Sequence, residues 1–104
     1  MKRFDIYLVK LDPTTGKEIN KTRPAIIISP NEMNEKISTV IIAPMTTNCR
    51  AWPSRVAITF KSKNGQVALD QIRAVDKSRL VKKIGTAPEK TTTKILEILQ
   101  EIFI

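Results

Sequence analysis

Histidine is absent, cysteine occurs once, and three glycines are spread along 104 residues. Each scarcity removes a class of chemistry. Without histidine there is no Ser-His-Asp or Cys-His machinery. The lone thiol, Cys49, excludes an internal disulfide and argues for a reducing compartment. One cysteine and no histidine cannot assemble a zinc site of the usual ligands. Gly16, Gly65 and Gly85 stand apart from one another, so no glycine-rich phosphate loop is present. Carboxylates are few and unclustered, and neither a metal nor another cofactor is expected. Long apolar runs are missing too: no stretch approaches the roughly 18 residues needed to span a bilayer. The N-terminal run is broken by Asp5 and Lys10, too short for a signal-peptide core. A cytoplasmic protein without a membrane partner is expected.

Basic residues are what the chain has in excess. Eighteen Lys and Arg stand against ten Asp and Glu, a formal net charge of +8. Such a field concentrates polyanions, and nucleic acid is the commonest of these. At this length a single core buries roughly 65% of the unfolded surface. One domain spanning residues 1–104 is expected.

The first part of the chain reads as strands. Asp5 to Leu11 alternates imperfectly, and Asp12 to Gly16 carries turn residues. Lys17 to Thr22 reads as a polar surface loop. Pro24 to Ser29 and Ile37 to Ala43 hold short β-branched runs that fit strands buried on both faces. Asn31 to Lys36 has room for a turn of helix, and Pro44 to Pro53 reads as a loop. Arg55 to Phe60 alternates cleanly. Asn64-Gly65 is a tight-turn dipeptide, so Arg55 to Val75 reads as a hairpin with a second strand from Gln66. Thr86-Ala-Pro-Glu89 has the form of a capping box. After it Ile95, Leu96, Ile98, Leu99, Ile102 and Phe103 recur at helical spacing. The expected fold is mainly β, with antiparallel strands and a C-terminal amphipathic helix.

Basic and hydroxyl residues fall at strand ends. Arg23 stands before a buried strand, with Pro24 biasing it toward extended backbone. Thr46 and Thr47 follow another strand, while Asp70 and Gln71 fall in the later hairpin strand. Taken singly, a rim arginine is a solvated charge worth little and paired threonines are turn residues.

Their order along the chain is more specific. Leu11-Asp-Pro-Thr-Thr-Gly-Lys-Glu18 with Thr22-Arg-Pro-Ala-Ile-Ile-Ile-Ser-Pro30 resembles the hallmark segment of the MazF/PemK toxins. Ile42-Ala-Pro-Met-Thr-Thr47 resembles their second segment, and Gln66 to Leu80 their third. The resemblance runs from about Arg3 to the C-terminal helix. It implies a small SH3-like antiparallel barrel of the CcdB/PemK type with a C-terminal α-helix. It also implies a homodimer that cleaves single-stranded RNA and a cognate acidic antitoxin that fills the RNA groove. The implied reaction is metal-independent and leaves 2′,3′-cyclic phosphate and 5′-hydroxyl ends. Arg23 falls on the family's catalytic arginine, Thr46 on its catalytic threonine, and Asp70 where some members carry an acidic catalytic or RNA-contacting residue. Lys17, Glu18, Thr47, Asn48 and Gln71 fall in segments that flank the RNA groove. Trp52, in the loop after the threonines, offers a face for a base or for packing.

The chain departs from the pattern in places. Many members open the first strand Arg-Gly-Asp, where this chain has Arg3-Phe4-Asp5. Many carry glycine where Lys21 stands. Some have histidine at the position of Lys17 and arginine at that of Ala68. Two rival readings share the charge or the barrel: a CcdB-like gyrase inhibitor without catalysis, and a non-catalytic nucleic-acid-binding module.

Overall fold

Side-chain alternation accounts for most of the architecture. In a computed structural model, residues 1–11 and 22–104 are described. Strands β1 (Asp5–Lys10) and β2 (Thr22–Ile27) precede a short helix α1 (Asn31–Lys36) and strand β3 (Thr39–Thr46). Strands β4 (Arg55–Phe60) and β5 (Lys63–Ala68) follow. A 3₁₀ turn (Leu69–Gln71), β6 (Arg73–Asp76), a second 3₁₀ turn (Lys77–Arg79), β7 (Leu80–Thr86) and helix α2 (Glu89–Phe103) complete the order. The expected turn from Asp12 to Gly16 and the loop from Lys17 lie outside the described residues. None of the described helices is long and apolar enough to cross a membrane.

The strands form one antiparallel sheet in the order β4-β5-β3-β2-β1-β7, with β6 also pairing β3. Its centre is buried on both faces, as the β-branched runs predict. Ile26 and Ile28 enter one core with Ile6, Ala43, Val67 and the helix residues Ile95 and Ile98. Ala25 and Ile27 enter a second core with Val9, Val40, Ile42 and Val75. Period-two alternation sends neighbours to opposite faces. The sheet curls until its two ends meet. A Cβ on Gly85 of β7 would lie 2.6 Å from the Phe60 ring of β4. The missing side chain there is what lets the ring seat and close the curl.

Several expectations need correction. Pro44 to Thr46 continue β3 instead of starting a loop. Pro44 is tolerated because β6 pairs β3 as far as Ile42 and pairing with β5 starts only at Met45, leaving a gap in the ladder on that edge. The hairpin turn is Lys61-Ser62, since Phe60 pairs with Lys63. Asn64 and Gly65 lie inside β5, opposite Thr59 and Ile58. Gly65 is needed there for a close approach: a Cβ would stand 2.7 Å from the Thr46 carbonyl oxygen. The run from Gln66 to Val75 is not one strand. The 3₁₀ turn at Leu69–Gln71 breaks it, and the chain then crosses to pair with the other half of β3. No capping box forms. Pro88 is the N-cap of α2, and Thr86 stays in β7 with its hydroxyl 3.5 Å from Asp5 Oδ1. Strand β7 has no counterpart in the expected elements.

Phe4 adopts φ 73°, where many relatives in the resemblance carry glycine. Its ring packs on the first core and lies 5.4 Å from the Arg3 guanidinium carbon. That packing offsets the left-handed strain.

Candidate nucleic-acid interface

The site forms where β3 changes partner. Strands β2 and β3 pair through Ala25↔Pro44, Ile26↔Ala43 and Ile27↔Ile42. Continuing that register places Arg23 opposite Thr46, beyond the last paired residues. Opposed residues of an antiparallel pair share a face. At Thr46 the strand is held from its other edge by Gln66 of β5. Gly65 lets the β5 backbone press against Thr46. A guanidinium and a hydroxyl are therefore set side by side on sheet backbone. Thr46 Oγ1 accepts a hydrogen bond from the Asn48 N–H at 3.0 Å. Its own proton is left to donate outward.

Two cavities meet at this pair. One, of about 260 Å³, is lined by Arg23, Thr46, Thr47, Lys63 and Asn64 over an apolar floor of Ile58 and Phe60. The other, of about 410 Å³, is lined by Arg23, Thr46, Asn48, Arg55, Gln71 and Arg73. Both include Arg23, Met45 and Thr46, so together they form one groove with that pair at its middle. Among the described residues its charged lining is cationic: Arg23, Arg55, Lys63 and Arg73. Arg73 is oriented by donating to the Leu11 carbonyl at 3.2 Å.

Of the residues singled out in the sequence, Arg23, Thr46, Thr47, Asn48 and Gln71 line the groove. Lys17 and Glu18 lie outside the described residues. Asp70 and Gln71 stand on the 3₁₀ turn, not in a hairpin strand. Asp70 is absent from the lining of both cavities and pairs with Arg55, Nε to Oδ1 at 2.8 Å. Ser54 Oγ donates to the same oxygen at 3.0 Å. Burial pushes the Asp70 carboxyl up, but the hydrogen bonds from Arg55 and Ser54 and the Arg55 charge outweigh it. The carboxyl is held below its ordinary value. Trp52 is exposed, with the Arg55 guanidinium carbon 4.7 Å from its ring centroid and that of Arg50 at 5.9 Å.

Arg55, Lys63 and Arg73 were missed in the sequence. Arg73 had a signal, since it follows Gln71 by two positions in the third motif. Arg55 and Lys63 had none beyond their charge. Cys49 is exposed and lines neither cavity. Among the described residues no three His, Cys, Asp or Glu side chains gather as a metal site requires.

Comparison with known proteins gives a consistent picture. A family model described as the PemK-like, MazF-like toxin of type II toxin–antitoxin systems matches residues 2–103. Endoribonuclease EndoA of Bacillus subtilis is 32% identical, covering 96% of this chain and 91% of that protein. Endoribonuclease toxin MazF of Escherichia coli is 33% identical, covering 83% of this chain and 79% of that protein. A mycobacterial endoribonuclease solved in complex with its cognate antitoxin superposes with a TM-score of 0.83. It is 26% identical, and the match covers 99% of this chain and 94% of that one.

Proposed function

Since this chain belongs to the PemK-like, MazF-like toxin family of type II toxin–antitoxin systems, we propose that it is a sequence-selective, metal-independent endoribonuclease acting on single-stranded RNA. The observation that carries the proposal is the Arg23–Thr46 pair, set by strand register at the centre of a cationic groove.

RNA brings its own nucleophile. The ribose 2′-oxygen attacks the adjacent phosphorus and loses its proton as the new O–P bond forms. The bond from phosphorus to the 5′-oxygen breaks, and that oxygen takes up a proton. The products are a 2′,3′-cyclic phosphate and a 5′-hydroxyl. What the protein must supply is stabilisation of charge on the phosphorane oxygens. The Arg23 fork presents paired N–H donors to two of them. Thr46 adds its hydroxyl proton, and the bond it accepts from the Asn48 N–H orients the oxygen. Donors fixed before the reaction need no reorganisation when charge develops.

Asp70 is a weak acceptor for the 2′-hydroxyl proton, because its carboxyl is held below the ordinary value and one oxygen is already bonded twice. We place it outside the groove lining, holding the groove-lining Arg55, and not in proton transfer. Thr47, Asn48 and Gln71 supply polar contacts along the groove, and exposed Trp52 offers a face for an unstacked base. In the proposed cell biology two copies pair, with RNA lying across the dimer. An acidic antitoxin segment then neutralises the enzyme by occupying the same cationic groove. The mycobacterial relative solved in complex with its cognate antitoxin supports an antitoxin partner.

The test is a pair of variants. Arg23→Ala is expected to lower the single-turnover cleavage rate by about 10²-fold or more, the cost of removing one preorganised donor. Circular dichroism should be unchanged, since Arg23 is exposed. Thr46→Val should lower the rate in the same step. Cleavage at the parental rate by Arg23→Ala would reject the assignment.

A further inference from the structure

Arg55 is the charged side chain whose surroundings the proposed reaction does not explain. Its side chain is 5% exposed, an unusual degree of burial for a guanidinium at the wall of an open groove. Its donors reach three separate parts of the chain. Nε donates to Asp70 on the 3₁₀ turn, while Nη1 donates to the Asn48 carbonyl at 3.3 Å and to Gln66 Oε1 at 3.4 Å. Its face lies 4.7 Å from the Trp52 ring. Gln66 then clamps Arg50 in both directions, accepting from its N–H and donating to its carbonyl, each at 2.9 Å.

The segment between β3 and β4 has no ladder of its own, yet it is tied at Asn48, Arg50 and Trp52. The ties run through one buried cation and the glutamine beside it. A lysine cannot reproduce them, because it has a point charge and no planar fork. We infer that Arg55 is a positioning residue that preforms one wall of the groove at Asn48 and, beside it, fixes Trp52 and Asp70 before RNA arrives. This rests on the endoribonuclease reading and adds to it: selectivity and RNA affinity depend on Arg55, while the chemical step at Arg23 and Thr46 does not. Preorganisation improves binding by removing the cost of ordering a loop on association.

Trp52 is the chain's single tryptophan, so its fluorescence reports this wall alone. The experiment uses the full chain and a short single-stranded RNA spanning a cleavage site mapped on a long transcript. In Arg55→Lys, KM should rise about tenfold, the worth of one charge-assisted hydrogen bond. The kcat should stay within about twofold, since no transition-state contact is lost. Acrylamide quenching of Trp52 should increase without RNA present, with far-UV circular dichroism unchanged. Trp52→Ala should raise KM alone, and the double variant should cost no more than the larger single change. If Arg55→Lys folds poorly, Asp70→Asn loosens the same clamp from its other end: Trp52 quenching and KM should both rise, and parental values of both would overturn the inference. Parental KM and parental quenching in Arg55→Lys, or fully additive effects in the double variant, would overturn it. If the parent chain left every RNA intact, the endoribonuclease reading would fail, while increased quenching in Arg55→Lys would still support Arg55 as the residue that orders the wall.

Discussion

Arg23 and Asp70 show how one chain treats two charges in opposite ways. Arg23 is exposed, and among the described residues no carboxylate lies within ion-pair distance of it. It lines both cavities of the groove. Asp70 is committed to Arg55 and Ser54, which makes it a stability group with a defined sign. Its folded value lies below the ordinary 3.8, so its contribution is present above that value. The contribution is lost as the pH falls through 3.8 and on through the lower folded value. Thermal melts between about pH 5 and about pH 2.5 should show Asp70→Asn losing less stability on acidification than the parent. Equal acid slopes would show that the Arg55–Asp70 pair contributes nothing measurable. Arg23 and Thr46 were legible in the sequence, because each sits inside a short contiguous motif. Arg55 was not: its partners Asn48 and Asp70 are 7 and 15 positions away. Only the folded chain brings them together.

Elements were legible where burial dictates them. β2 and β3 read as strands because both faces of the sheet are covered there. Helix α2 read as a helix because Ile95 and Ile98 recur toward the core. Leu96, Ile102 and Phe103 share the helical spacing yet remain exposed. Strand β7 was hidden because its ladder to β1 shifts register twice and its middle carries the exposed residues Lys82 and Lys83. Lysines on an edge strand discourage pairing with other chains, and they also blur the alternation. The hairpin turn was misplaced because Asn64-Gly65 has better turn chemistry than Lys61-Ser62. The pressure of β5 on Thr46 claims the glycine for another purpose. Lys61 and Ser62 consequently take φ of 49° and 65°, where a side chain costs about 1 kcal/mol per residue. Ser62→Gly should therefore stabilise the protein by about 1 kcal/mol. The check is the urea midpoint at constant m-value, and an unchanged or lowered midpoint would contradict the strain argument.

At the scale of the whole molecule, part of the excess of +8 converges on a groove. Its unpaired cations among the described residues are Arg23, Lys63 and Arg73. Counterion release makes RNA affinity fall linearly with salt on logarithmic axes. Three contacts give a slope of about −2 per groove for a single strand. Fluorescence titrations of the slowed Thr46→Val variant with a short RNA, across a salt series, measure it. A slope near zero would mean that the groove is not where RNA binds. Charge alone gave the polyanion class in the sequence, but it did not say where the cations would converge. That depends on β3 leaving β6 for β5, a change of partner that no local pattern encodes.

The most direct test of the central claim is cleavage of a long mixed-sequence RNA by the purified chain in EDTA, with both ends of every fragment mapped. The account predicts discrete fragments bearing 5′-hydroxyl and 2′,3′-cyclic phosphate ends, lost in Arg23→Ala. Intact RNA from a folded, antitoxin-free preparation, or fragments with 5′-phosphate ends, would contradict it.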